Sequence, residues 1–198
     1  MRKSAKFSPG AFRFGLMPLP PYIKRAPQDA DNVYYQTVYA KKEGAIASPT
    51  AGLHFTEGLL GKIKSGGMNI AYITLHVGHS TFKPVKSLDV VSHRMDKEYF
   101  QISECSQGMI EGAHRSGKRI FAVGTTSARA LESYTSGVIE GFTDLFIYPG
   151  YKFKVVDCLL TNFHLPRTTL FMLVSAFAGE KLIKRAYQEA IDRKYRFY

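Results

Sequence analysis

The chain has 198 residues, enough for one domain that buries roughly 70% of its unfolded surface. Its 45% apolar content argues against global disorder, and its longest apolar run, Leu170 to Val174, falls far short of the ~20 residues that span a bilayer. The 27 Lys and Arg against 16 Asp and Glu leave a formal charge of +11, which favours a polyanionic partner such as nucleic acid.

The basic N-terminus "MRKSAKFSPGAFRFG" lacks the apolar core of a secretory signal. Two cysteines, Cys105 and Cys158, offer neither metal-ligand spacing nor a disulfide framework. These features imply a cytoplasmic protein. Prolines 18, 20, 21 and 27 forbid regular helix, so residues 1–33 read as a linker and the domain proper as 34–198.

In chain order, "VYYQTVYA" has the β-branched and aromatic content of a strand. Thr56 then caps a helix with Leu59, Leu60 and Ile63 on one face, ended by Ser65-Gly66-Gly67. "MNIAYITLHVG" alternates as a strand. Ser103 opens a second helix, with Cys105, Met109, Ile110 and Ala113 expected inward. "RIFAVG" is a short strand followed at once by the helix "TTSARALES". "FTDLFIYPGYKFKVVDCLLTNF" reads as buried strands broken at Pro149-Gly150. Thr168 caps an apolar helix, and the last helix carries a stripe of Leu182, Ile183, Ala186, Tyr187, Ala190 and Ile191 suited to packing. Strands alternating with helices indicate an α/β fold with a mixed, partly parallel sheet and flanking helices.

Several segments could carry chemistry. In "AVGTTSARALE", open N–H groups at a helix start join the hydroxyls of Thr125, Thr126 and Ser127 to form an anion pocket after Gly124. Arg129 would add a charged hydrogen bond; ordinary capping is the alternative. The segment lacks the lysine of a phosphate-binding P-loop. "PTAGLHFT" and "TLHVGHSTFKP" place Gly52, His54 and His76 at strand or turn ends, where α/β sheets bind ligands. The histidines do not match zinc spacing, so no metal is expected. Asp144 is either a partner for an arginine or a catalytic base. In "LLTNFHLPRTTLFMLVSAFAG", Asn162, His164 and Arg167 interrupt an apolar run at a strand end, which capping does not explain.

The blocks "PTAGLHFT", "LHVGHSTFKPV", "AVGTTSARALES", "GFTDLFIYPGYKFKVVD" and "LLTNFHLPRTTLFMLVSAFAG" closely resemble the S-adenosylmethionine:tRNA ribosyltransferase-isomerase family of queuosine biosynthesis, from about Met17 to Tyr198. The resemblance implies a metal-free enzyme without a resident cofactor, which consumes S-adenosylmethionine as a co-substrate. Its other partner would be a tRNA carrying 7-aminomethyl-7-deazaguanine at the wobble position, converted to epoxyqueuosine-tRNA with loss of adenine and methionine. Within these blocks the candidate catalytic residues are His54, His76, Asp144, Asn162 and His164. The candidate substrate-binding residues are Gly52, Gly124, Thr125, Thr126, Ser127, Arg129, Tyr148, Arg167 and Thr168. His79-Ser80 stands where the family commonly has Leu-Gly. The family's chain also has an upstream half and an inserted β-barrel that this sequence does not match. The expectation is the latter part of the catalytic domain, with a separate N-terminal half as a possible partner. The rival expectation is an inactive remnant or basic RNA-binding module.

Overall fold

Alternation in "EYFQI" organises the larger sheet. Glu98, Phe100 and Ile102 turn inward and are buried, while Tyr99 and Gln101 turn outward. The computed structural model describes residues 18–20, 23–78, 93–135 and 137–196; His79 and Ser80 lie outside them, as does most of the expected N-terminal linker. Strand β2 (Glu98–Ile102) is central, with β1 (Ile73–His76) and β4 (Glu140–Thr143) antiparallel on either side. The register sets His76 opposite Tyr99 and Tyr99 opposite Phe142 on the outer face.

A second, two-stranded sheet pairs β3 (Phe121–Val123) in parallel with β5 (Cys158–Leu160). The fold is thus mixed α/β, with both strand pairings present. Helix α3 (Glu104–Arg115) is capped by Ser103, and α4 (Thr125–Tyr134) follows β3 after a single residue. Phe100, Ile102, Ile110, Ala122, Ala128, Ala130, Leu131 and Val156 form the main core between the inner sheet face and these helices. Ile147, Leu173 and Val174 form a smaller core under α5 (Thr169–Ala178). Helix α2 (Glu57–Ser65), capped by Thr56, and helix α6 (Glu180–Asp192) complete the described elements with α1 (Asp31–Tyr34) and a 3₁₀ turn at Thr50–His54.

The expected strand "VYYQTVYA" is instead the end of α1 followed by turns. Local polar pairing overrides β propensity there: Arg25 grips the Asp31 carboxylate at 2.6 and 2.8 Å, and the Gln28 N–H donates to it at 2.8 Å. Helix α3 buries Ser106 and Ile110, not Cys105 and Met109, because the Ser106 hydroxyl donates to the Tyr72 carbonyl at 2.7 Å. The segment 144–157 is irregular where strands were expected. Its backbone finds a buried carboxylate in place of a ladder: Lys154, Val155 and Val156 donate N–H to Glu132 at 2.9–3.0 Å. Strand β5 is half-open rather than buried, with Leu160 49% exposed. The stripe on α6 buries none of its residues; Leu182 and Ile191 stay open among the described residues.

Candidate functional site

Four segments meet at a narrow cleft of about 40 Å³, lined by residues 47–51, Val77, Gly124, Thr125, Thr126, Thr161, His164 and Leu170. The parallel pair puts it there. Gly124 N–H donates to the Leu160 carbonyl at 2.8 Å, so β3 and β5 end together and open toward the same side. The turn into α4 then needs φ +92° at Gly124, a conformation that a side chain would strain. Ala128 N–H donates to the Gly124 carbonyl, the first bond of α4. The N–H groups of Thr125, Thr126 and Ser127 therefore precede any intrahelical acceptor, and two of these residues line the cleft.

The opposite wall begins at the 3₁₀ turn. Gly52 is buried, and a β-carbon there would overlap the Tyr39 hydroxyl and lie 2.9 Å from the Thr37 methyl. Only glycine lets this turn approach so closely. Ile46 and Ala47 N–H donate to the Val77 carbonyl, tying the turn to the end of β1.

His164 is 4% exposed. Its Nε2 lies 3.0 Å from Thr161 Oγ1, and its backbone N–H donates to the Tyr187 hydroxyl at 2.6 Å. Among the described residues its Nδ1 is buried without a hydrogen-bond partner. Burial pulls the imidazole pKa down to about 4, so the ring is neutral near pH 7. Asn162 Nδ2 and His54 Nε2 meet at 3.1 Å on a more open rim, and Asn162 Oδ1 is buried without a partner among the described residues. The site thus joins His164 with Gly124, Thr125 and Thr126, and holds His54 with Asn162 beside Thr161.

Other candidates lie elsewhere. Arg129 does not reach the cleft: it is 3% exposed and ion-paired with Glu98 at 2.5 Å. The guanidinium, expected to bond a ligand, turns toward Glu98 on the inner sheet face. Thr168 is a helix cap, accepting from Phe171 N–H and donating to the Leu165 carbonyl, so its polar atom is accounted for structurally. Arg167 is exposed in a left-handed turn, φ +60°. Asp144 is exposed one residue past β4, not within a strand. Tyr148 packs against Phe146, ring centroids 5.2 Å apart. His76 faces a separate groove on the outer sheet face.

Sequence reasoning missed Glu98 and Glu132. Glu132 is 1% exposed, and besides three N–H groups it accepts from the Tyr151 hydroxyl at 3.0 Å. Burial, with that carboxylate, pushes the Tyr151 phenol up to about 12. A carboxylate inside an otherwise apolar helix or strand face, as in "ARALES" and "KEYFQI", was the available signal.

Among the described residues no helix is long and apolar enough to cross a membrane, and no three His, Cys, Asp or Glu side chains come together. Residues 3–198 match the sequence profile of a family described as "Queuosine biosynthesis protein". The chain is 59% identical over 187 residues to the S-adenosylmethionine:tRNA ribosyltransferase-isomerase of Sulfurihydrogenibium sp. (strain YO3AOP1), covering 94% of this chain and 56% of that protein. It is 55% identical over 186 residues to the same-named protein of Aquifex aeolicus (strain VF5), again covering 94% and 56%. The crystal structure of S-adenosylmethionine tRNA ribosyltransferase from Thermotoga maritima superposes with a TM-score of 0.62 at 43% identity, covering 75% of this chain and 48% of that one. The chain spans about half the length of the curated relatives it matches.

Proposed function

Because the chain belongs to the queuosine biosynthesis protein family, we propose that it carries the ribosyl-transfer centre of an S-adenosylmethionine:tRNA ribosyltransferase-isomerase. The reaction moves the ribosyl part of S-adenosylmethionine to the aminomethyl group of 7-aminomethyl-7-deazaguanine in tRNA. It rearranges that part to an epoxycyclopentane and releases adenine and methionine. The co-substrate is consumed, no resident cofactor is required, and the setting is cytoplasmic.

One observation carries this reading: a single cleft pairs open helix N–H groups with a buried neutral imidazole. The methionine carboxylate is a compact anion, and the start of α4 presents N–H donors and the hydroxyls of Thr125 and Thr126 to receive it. At about 40 Å³ the cleft takes such a group and not a nucleoside, so the adenosyl part lies outside it. The sulfonium acidifies its neighbouring carbon. His164, unprotonated near pH 7 and with Nδ1 unpartnered, serves as the acceptor for that proton. The Asn162–His54 pair on the rim orients the sugar.

The test separates binding from chemistry. His164→Gln should lower adenine release by about 10²–10⁴, while calorimetry finds S-adenosylmethionine affinity changed by less than about threefold, a difference under 1 kcal/mol. The assay uses precursor tRNA, with the chain alone and with the upstream half of the Aquifex relative added. Adenine release by His164→Gln at the unsubstituted rate, or no S-adenosylmethionine binding by either preparation, overturns the reading.

A further inference from the structure

The outer face of the three-stranded sheet has no part in the cleft, yet it is not an ordinary solvated surface. His76, Tyr99 and Phe142 stand directly opposite one another on β1, β2 and β4. Their rings form a continuous row, with His76 and Tyr99 centroids 5.0 Å apart and Tyr99 and Phe142 5.7 Å apart. Phe142 is 68% exposed, a large apolar surface left in water. The row floors a groove of about 410 Å³ whose rim holds Lys42 and Lys97. Beside the row, on the same face, Glu140 accepts from the Tyr99 hydroxyl at 2.6 Å and from Gln101 Nε2 at 2.9 Å, while Lys42 donates to Gln101. These bonds hold the Tyr99 ring and the rim in place without a ligand.

We propose that this face is a stacking platform for an unpaired nucleobase of an RNA, with Lys42 and Lys97 receiving the flanking phosphates. Pre-placed rings on an open sheet bind unstacked bases whatever their sequence, and cations beside them neutralise the backbone. The charge selects RNA over S-adenosylmethionine: that molecule is itself a sulfonium cation without phosphates, and two lysines on the rim disfavour it. The platform also has a fixed relation to the cleft. His76 faces the groove and the next residue, Val77, lines the cleft, so the two openings lie on opposite sides of one strand end. This inference rests on tRNA being the substrate in the preceding reading.

The experiment measures fluorescence anisotropy of a labelled single-stranded heptanucleotide, and of the same sequence as a duplex, with the full chain. Phe142→Ala should weaken the single strand on the order of tenfold, within the range of one lost base–aromatic stack. Phe142→Trp should restore it, and the duplex should bind more weakly than the single strand throughout. Calorimetry with S-adenosylmethionine runs in parallel. Unchanged binding by Phe142→Ala, equal losses in Ala and Trp variants, or a duplex bound as tightly as the single strand overturns the platform. Single-strand binding that follows these expectations while S-adenosylmethionine fails to bind upholds the platform and overturns the ribosyl-transfer reading instead.

Discussion

The cleft and the groove flank the same strand end, but they are built on opposite principles. The cleft is buried and uncharged: hydroxyls, backbone N–H groups and one neutral imidazole, with no lysine or carboxylate in its lining. The groove is open, aromatic and basic. A low-dielectric pocket strengthens a few directed bonds, while an exposed platform can hold a long, hydrated polyanion through many weak contacts. One internal ion pair joins them. Glu98 belongs to the central strand of the groove's sheet, and Arg129 to the helix whose first turn lines the cleft.

Breaking that pair should have the largest effect. Arg129→Ala strips a buried carboxylate of its counter-ion, at a cost of roughly 3–5 kcal/mol. For a chain of this size that lowers the melting temperature by on the order of 10 °C, followed by circular dichroism. An unchanged melting curve with weakened S-adenosylmethionine binding would return Arg129 to the ligand and dissolve the link between the two regions.

Acid should act on the cleft and spare the groove. His164 has a folded pKa of about 4, below the ordinary 6.5. The unfolded chain therefore binds the proton first as pH falls. The stability contributed by the neutral ring is complete above pH 6.5 and disappears as pH drops toward 4. The full swing is roughly 3 kcal/mol. Melting curves between pH 7 and pH 4 should be shallower in His164→Gln than in the unsubstituted protein; superimposable pH profiles would place the ring in a solvated site.

Glu132→Gln keeps the shape but sets an amide N–H₂ against groups that donate to the carboxylate. A loss of about 2 kcal/mol in urea unfolding is expected, with the segment 151–156 losing hydrogen-exchange protection first. Uniform loss of protection across the sheet would show that this carboxylate holds the whole fold rather than the cleft's approach.

The smallest effect belongs to the groove and is read in salt rather than heat. Replacing Lys42 and Lys97 together by Ala should flatten the slope of log affinity for single-stranded RNA against log salt by about 1.4, at about 0.7 per phosphate contact. The melting temperature should stay within a degree or two. An unaltered slope would leave the rim lysines without a phosphate to meet.

Much of the local structure was legible. Thr56, Ser103 and Thr168 each cap the helix expected to follow, and each side-chain oxygen accepts the N–H three residues on. The abrupt step from "FAV" through Gly124 into α4 was equally readable, because a strand, a glycine and a run of hydroxyls leave few other conformations. The errors came where polar pairing, local or distant, outweighed propensity. "VYYQTVYA" is no strand because Arg25 and Asp31 fold the chain just before it. The inward face of α3 rotated because a serine found a carbonyl 34 residues away.

The sequence by itself therefore determined the family, the helix starts and the segments that gather at the strand ends. All of these depend on contacts within a few residues, or on patterns long enough to be distinctive. Tertiary structure alone decided which polar side chains stay available. Arg129 looked like a ligand and is taken up by Glu98, while His164 is buried with one nitrogen open and His76 joins a row of rings. The physical reason is that a buried polar atom takes whatever partner the fold brings within about 3 Å. That choice is made across the sheet, between residues whose sequence spacing carries no trace of it.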